Sequence, residues 1–350
     1  MPLKLGPAHF ERHEIFGSAP VVPADNRAMD AVEIDARTAA DLLRLPGEPD
    51  GWVRGLPDAG AAEPRLPALA TAPALLERLA VAPDDAAEIL DGWPSAGWPA
   101  DLSWLLGRVV EAVRADLGGS AWLAPGPSLP RERGPAWKHF YAYVYLALLE
   151  DTLAYHARHR VPEDVSWATL ADLGRNLAID RRMNGEGWPV MLQWLTLHVR
   201  GGIYELGRLQ FQRGTHLAAP DDRALRLHIP RSGPLTPESC DASFRQAREF
   251  FPRHFSYEPY DAVTCTSWLL DPALADCLPE ESNIVRFQRR FALMPGEQDA
   301  GEDVLRFVFG TLTTPLDELP TRTALQRAVA ARLKAGGRWH SRTGRVALRT

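Results

Sequence analysis

Residues 225–251 read LRLHIPRSGPLTPESCDASFRQAREFF, and this stretch decides the fold. Its first five residues alternate apolar and polar side chains, which is the pattern of a half-buried strand, and Pro230 then ends that strand. A helix is predicted next, because Thr236 is a good N-cap and Pro237 suits the first helical turn. Strand, glycine-containing turn and helix N-terminus together predict an anion pocket, since free N–H groups and the helix dipole converge there.

Length and charge restrict the class of protein. A chain of 350 residues is long enough for two domains. Its net charge of -6 disfavours a nucleic-acid partner, because phosphate affinity needs clustered Lys and Arg. No apolar run approaches the ~20 residues of a membrane helix, so no membrane partner is predicted. The terminal arginines at 338, 342, 345 and 349 are interpreted as a solvated surface, with contact to an acidic carrier protein as the alternative.

Cysteine usage indicates a reducing compartment. Cys240, Cys265 and Cys277 have no CxxC spacing, so neither a metal site nor a disulfide framework is predicted. With no stretch resembling a signal peptide, we expect a cytoplasmic protein.

The chain is predicted to divide at a segment rich in Gly and Pro, residues 118–135. Residues 1–135 are expected to form a mostly helical domain, with an irregular start that includes a short helix at Thr38–Leu45. Its clearest element is an amphipathic helix over Trp98–Leu117. Residues 136–350 form the second predicted domain, which begins with helices over Trp137–Arg158 and Trp167–Arg181.

From Ile203 the apolar period changes to two, which predicts a strand through Phe211 that carries Glu205 among apolar neighbours. A turn at Thr215–Asp222 should bring the strand at Leu225 back beside it as a hairpin partner. The remaining predictions are a strand at 263–270, a helix at 279–290, a last hairpin from 291–294 and 303–309, and a helix at 323–335.

This order, strand, strand, helix, strand, helix, strand, strand, is similar to the core of the GNAT acyltransferase superfamily. The segments HIPRSGPLTPES (228–239), SWLLDP (267–272) and LPEESNIVRFQRRF (278–291) resemble the GNAT-like C-terminal domain of bacterial acyltransferases that also carry a helical N-acyltransferase N-terminal domain. The resemblance implies an α/β (α+β) fold with a mixed, mostly antiparallel sheet flanked by helices. It also implies acyl transfer from a thioester to an amine.

The resemblance further implies a donor site. Its ligand would be an acyl-coenzyme A thioester or the phosphopantetheine of an acyl carrier protein. The superfamily loop has the form Gln/Arg-x-x-Gly-x-Gly/Ala, whereas this chain has one glycine there and Pro234, which lacks an N–H donor. The residues assigned to the donor are Ile229, Arg231, Ser232, Gly233, Leu235, Thr236 and Asn283.

For the chemistry, Glu205 and His228 are the candidate general bases. Glu205 has an alternative role as an ion-pair partner of Arg208 or Arg226, and His228 as a structural histidine. Many relatives use a tyrosine as the acid, but none occurs over residues 273–290. The candidates to replace it, by hydrogen bonding to the thiolate or to the pantetheine amides, are Ser267 or Cys265 on the strand and Ser282 or Asn283 on the helix. Cys265 as an acylated nucleophile is a weaker alternative.

The acceptor is predicted to be a small-molecule or peptide amine. The alternative from another class is a GNAT-like binding or regulatory module that has lost catalysis, which the altered loop and the missing tyrosine favour. Thioester binding and thiol release separate these two readings.

Overall fold

A computed structural model describes residues 64–348, apart from 96–97, 124–125, 127–128, 185–191 and 215–222, together with residues 55 and 56. The helix predicted at Thr38–Leu45 and the turn predicted at Thr215–Asp222 lie outside the described residues.

The first part of the described chain is helical. The predicted amphipathic helix is confirmed, with shorter bounds, as α3 (Ala100–Ala115). The six residues of its apolar stripe are buried: Leu102, Leu105, Leu106, Val109, Val110 and Val113. The predicted helix over Trp137–Arg158 is divided at His139 and Leu148. Its middle piece has every residue buried, so tertiary contacts on all sides set its direction. The elements are α1 (Ala72–Arg78), α2 (Pro83–Asp91), α3 (Ala100–Ala115), α4 (Pro135–Lys138), α5 (Phe140–Ala147), α6 (Leu149–Arg158), α7 (Glu163–Leu170), α8 (Asp172–Asn184) and α9 (Leu192–Val199).

The second part contains a seven-stranded mixed sheet, and its mostly antiparallel pairing confirms what the resemblance implied. The strand order is β1-β2-β3-β4-β7-β5, with β6 paired to β7. The pair β3–β4 is parallel and the other described pairs are antiparallel. The strands are β1 (Ile203–Leu206), β2 (Leu209–Gln212), β3 (Ala224–His228), β4 (Ala262–Ser267), β5 (Ala292–Leu293), β6 (Gln298–Asp299) and β7 (His340–Ala347).

Helix α10 (Pro237–His254) covers the apolar face of this sheet and begins where the sequence predicted. The Thr236 hydroxyl accepts a hydrogen bond from Ser239 N, and Phe244, Ala247 and Phe251 are buried. The helices that follow α10 are α11 (Ala273–Cys277), α12 (Asn283–Gln288), α13 (Gly301–Val304), a π-helical turn (Leu305–Phe309) and α14 (Ala324–Lys334).

Two strand predictions are wrong, and one strand of the sheet was not predicted. The strand predicted from Ile203 is a hairpin, because Gly207 turns the chain with a φ of +69°. Residues 303–309 are helical and not a strand. The closing strand is β7, within the segment interpreted as a solvated basic surface. The sequence did not predict β7 because polar residues occupy both of its faces and no apolar alternation is present. Its pairing with β4 therefore decides its conformation.

The described residues form two hydrophobic cores. One unites buried residues between Ala72 and Val199. The other unites residues from Tyr204 to Leu348, together with Tyr155 and Val161. Because α4 to α9 contribute to the first core, we propose a division near residue 202 in place of the predicted 135/136. Below, residues 72–199 are the helical part and residues 203–348 the sheet part.

Arg213, which follows β2, joins the two parts. Its buried guanidinium donates to both carboxylate oxygens of Glu258 at 2.9 and 2.5 Å and to the Tyr155 hydroxyl at 2.9 Å. It also donates to the carbonyls of Gly118 and Gly201 at 3.1 and 3.0 Å. Despite the burial, Glu258 raises the pKa of Arg213. One side chain therefore satisfies acceptors from both parts.

Replacing Arg213 by Met should lower the free energy of unfolding by about 3–5 kcal/mol, because the largely buried carboxylate of Glu258 loses its cationic partner and two carbonyls lose their donor. Urea unfolding followed by tryptophan fluorescence measures the loss. The control is Arg289→Met, whose ion pair with Glu280 has side chains 56% and 78% exposed and should contribute less than about 1 kcal/mol. Equal losses in the two variants would contradict the junction role.

Candidate functional site

The site is created where two parallel strands stop pairing. The register of β3 with β4 ends at Leu227 opposite Cys265. Beyond this pair a cavity of about 990 Å³ opens, lined by both strand ends, the loop after β3, helix α12 and the π-helical turn. From the helical part, Trp122, Trp194 and α8 also line it. Separated strands leave backbone polar groups available to a ligand.

Most of the predicted site residues meet in this cavity. It is lined by His228, Ile229, Arg231, Gly233, Leu235, Ser267, Ser282 and Asn283. Three predicted residues are outside its lining: Glu205 lies behind it, Ser232 is exposed beside it, and Thr236 caps α10.

The loop after β3 is held by Arg208, a residue whose role the sequence did not reveal. Its guanidinium donates to the carbonyls of Pro230 at 2.8 Å, Gly233 at 2.6 Å and Pro234 at 3.2 Å. Gly233 has a φ of +138°, which a residue with a side chain rarely adopts. Arg208 therefore gathers the loop carbonyls on one side.

The N–H groups of the same loop remain available. No described group accepts from the backbone N–H of Arg231, Ser232, Gly233 or Leu235. These donors lie directly before the N-terminus of α10. Such an arrangement attracts an anion, as the sequence predicted, although Pro234 contributes no donor.

His228 has a defined tautomer. Gln212 Nε2 donates to the carbonyl of Ser120 at 2.6 Å, so the amide oxygen of Gln212 faces the imidazole. His228 Nε2 lies 2.8 Å from that oxygen and must donate to it, which leaves Nδ1 with a lone pair. Burial, followed by the charges of His198 and Arg226, lowers the pKa of His228 to about 3. The imidazole is therefore neutral at pH 7.

Two tryptophans of the helical part flank His228. The ring centre of Trp194 lies 4.7 Å from the ring centre of the imidazole, and that of Trp122 lies 6.4 Å from it; both pairs are in an edge-on arrangement. Asp172 positions Trp194 by accepting from its indole N–H at 2.5 Å. Asp172 also accepts from Arg175 Nε at 2.9 Å, and although burial acts to raise its pKa, His198 and Arg175 hold it below the usual value. Sequence reasoning missed Asp172 because only the tertiary fold brings α8 to the sheet.

Glu205 forms an ion pair, but its partner is neither of the two arginines that the sequence suggested. Its carboxylate binds Arg175 of α8 at 2.6 Å, in place of Arg208 or Arg226, and accepts from Gln210 at 3.0 Å. Burial raises the pKa of Glu205, and the charge of Arg175 opposes that rise. Arg175 lies between this carboxylate and the cavity, which leaves His228 better placed for proton transfer.

The serine hydroxyls each use an acceptor lone pair within the fold. Ser267 accepts from Leu269 N at 3.1 Å and Ser282 from Val285 N at 3.3 Å, so each O–H proton can be donated into the cavity. Burial raises the pKa of Cys265 to about 12, so its thiol is protonated and the nucleophile alternative is disfavoured.

The described residues contain neither a cluster of metal ligands nor a membrane-spanning helix. No group of three or more His, Cys, Asp or Glu there is arranged to hold a metal ion. None of the helices described is both long and apolar enough to cross a membrane.

Comparison with known families divides the chain in two. Residues 70–201 match the N-acyltransferase N-terminal domain, and residues 203–346 match the GNAT-like C-terminal domain. No protein among the curated sequences matches the chain.

Solved structures match the whole arrangement. An acyltransferase in complex with decanoyl-CoA and teicoplanin is 39% identical with a TM-score of 0.84, over 90% of this chain and 100% of that one. A tryptophan-to-alanine variant of an acyltransferase with octanoyl-CoA is 38% identical with a TM-score of 0.83, over 90% and 99%. An acyltransferase with CoA and 10C-teicoplanin has the same identity and TM-score, over 90% and 100%.

The tautomer of His228 is testable by NMR with ¹⁵N-labelled histidine. We expect the Nε2–H form, with the ring neutral from pH 8 down to about 5, because its pKa of about 3 lies below that window. Gln212→Leu removes the acceptor and should produce a mixture of both tautomers. Gln246→Leu, at an exposed position of α10, should not. The His228→Gln spectrum assigns the signal. A cationic ring at pH 6 in the unmodified protein would contradict the assignment.

Proposed function

Because this chain belongs to the acyltransferases that join an N-acyltransferase N-terminal domain to a GNAT-like C-terminal domain, we propose that it acylates the amine of a bulky small molecule, with His228 as the general base. It transfers an acyl group from acyl-CoA. One observation carries the proposal: a single cavity connects the loop at Arg231–Leu235, through the separated strands, to the imidazole of His228.

The donor is proposed to enter from the loop side. Its pyrophosphate would bind the free N–H groups of Arg231, Ser232, Gly233 and Leu235 at the start of α10. The pantetheine would then run between the ends of β3 and β4, where Ser267, Ser282 and Asn283 can bond to its amides. Structures of relatives with CoA thioesters support this class of donor. A carrier-protein donor, a cytoplasmic location and a bacterial origin stay predictions.

The acceptor is proposed to bind on the other face of the sheet. A second cavity of about 230 Å³ there shares Trp122, Leu227, His228 and Thr266 with the first. Its remaining lining is polar, with Arg226, Thr264 and Thr343. The relative that holds decanoyl-CoA together with teicoplanin supports a bulky acceptor. Family membership also favours an enzyme over the inactive binding module.

In this arrangement the amine attacks the thioester carbonyl at the strand separation. Backbone N–H groups at the ends of β3 and β4 would stabilise the oxyanion. His228 Nδ1 would accept the proton from the nitrogen as it becomes cationic during attack. Ser267 or Ser282 would donate a hydrogen bond to the departing thiolate, which then takes up, through solvent, the proton that His228 removed from the amine.

The low pKa of His228 limits what it can do. A base with a pKa of about 3 cannot deprotonate a free alkylammonium, but it can take a proton from the cationic nitrogen of the tetrahedral intermediate, whose acidity increases steeply as the C–S bond breaks. The acceptor must therefore bind as the neutral amine.

His228→Gln should lower kcat by about 100-fold or more, because the proton acceptor is lost. Glu205→Gln should keep kcat within about tenfold, since Glu205 lies outside the cavity lining. Release of free thiol from octanoyl-CoA, with a panel of bulky primary amines, measures both. A larger loss of kcat in Glu205→Gln than in His228→Gln would assign the role of base to Glu205. Absence of thiol release with every amine would contradict the proposed function.

The acid limb of kcat/KM should follow the acceptor. Activity is expected to rise with pH through the pKa of the acceptor's ammonium group, because His228 is already neutral above about pH 4. Profiles measured with two acceptors of different ammonium pKa should shift by the difference between those pKa values. An acid limb at one pH between 5 and 8 with both acceptors would instead indicate an ionising group of the enzyme.

A further inference from the structure

Three arginines from separate parts of the chain lie in the lining of the large cavity or beside the elements that form it. Arg231 belongs to the loop after β3 and Arg306 to the π-helical turn, and both line the cavity. Arg182 lies in the last turn of α8, in the helical part. Burial, and then the positive charge of Arg182, lowers the pKa of Arg231.

Packing around Gly310 brings Arg182 to the π-helical turn. Gly310 follows that turn with a φ of +72°, and its N–H donates to the Arg306 carbonyl at 3.1 Å. A Cβ atom at Gly310 would lie only 2.9 Å from Arg182 Cδ. The absence of a side chain at Gly310 therefore lets Arg182 pack directly against this turn.

Positive charge here exceeds its local compensation. No described carboxylate lies within 4.0 Å of the guanidinium nitrogens of Arg182, Arg231 or Arg306. Asp303, which also lines the cavity, interacts with Arg306 at longer range, and burial raises the pKa of Asp303. Like charges gathered beside a cavity are unfavourable until an anion binds.

We propose that Arg182, Arg231 and Arg306 bind the phosphate groups of the acyl-CoA donor, so that the helical part completes the donor site. The inference rests on the proposed function and deepens it. It also answers the shortage of backbone donors that Pro234 causes, since a guanidinium can bind a phosphate through two N–H groups. Donor recognition would then require both parts of the chain.

The experiment compares three donors: S-octanoyl-CoA, its dephospho form, which lacks only the 3′-phosphate, and S-octanoyl-pantetheine, which lacks every phosphate together with the adenosine. The variants are Arg182→Gln, Arg231→Gln and Arg306→Gln, and the matched control is Arg248→Gln on the exposed side of α10. We expect each of the three to raise KM for S-octanoyl-CoA by roughly tenfold with kcat within about twofold, and to leave kcat/KM for S-octanoyl-pantetheine unchanged. Arg248→Gln should alter neither donor.

The dephospho donor identifies the group that is bound. A variant whose effect persists with dephospho-CoA acts on the pyrophosphate, and one whose effect disappears acts on the 3′-phosphate. In the unmodified enzyme, added salt should raise KM for S-octanoyl-CoA but not for S-octanoyl-pantetheine.

Loss of activity to the same degree with both S-octanoyl-CoA and S-octanoyl-pantetheine would overturn the phosphate role, as would unchanged kinetics with all donors. Failure of the proposed function is distinguishable from either result. In that case the unmodified enzyme would transfer no octanoyl group from any of the three donors.

Discussion

The separation of β3 and β4 after Leu227 and Cys265 is the constraint on which the site depends. Parallel pairing elsewhere in a sheet satisfies the backbone groups of both strands, whereas here the pairing ends inside the molecule. The opening connects the two faces of the sheet, and one face carries α10 and the loop held by Arg208 while the other carries His228. A donor on one face and an acceptor on the other can therefore meet at a single carbonyl.

The helical part supplies more than a support for the sheet. Through Asp172 it holds Trp194 against His228, and through the Ser120 carbonyl it orients Gln212 and so the imidazole. Arg213 joins the two parts by buried charge-assisted hydrogen bonds. The geometry of His228, the proposed proton acceptor, thus depends on how the two parts pack, although His228 itself belongs to the sheet.

Burial at the site has two opposite consequences. It keeps His228 neutral and so available as a proton acceptor, but it also makes the imidazole a weak base. Burial similarly keeps the Cys265 thiol protonated, which favours direct transfer to the amine over an acyl-enzyme. Both effects agree with a mechanism in which neutral side chains and backbone donors would carry the proposed reaction.

The sequence by itself determined the local elements whose signals are short in range. The alternation in Leu225–Ile229, the cap at Thr236 and the stripe of α3 are set by neighbours along the chain, so they were predictable. So was the gathering of His228, Arg231 and Gly233, because strand, loop and helix follow one another directly.

Only the tertiary structure decided the pairings between distant residues. Strand β7 lacks an apolar alternation and exists because β4 offers its edge, while residues 303–309 fold as helical turns that bring Arg306 to the cavity. Glu205 binds Arg175 rather than a neighbouring arginine, and Arg208 binds loop carbonyls. A charged side chain pairs with whichever partner the packed fold places within reach, and the sequence pattern carries no record of that distance.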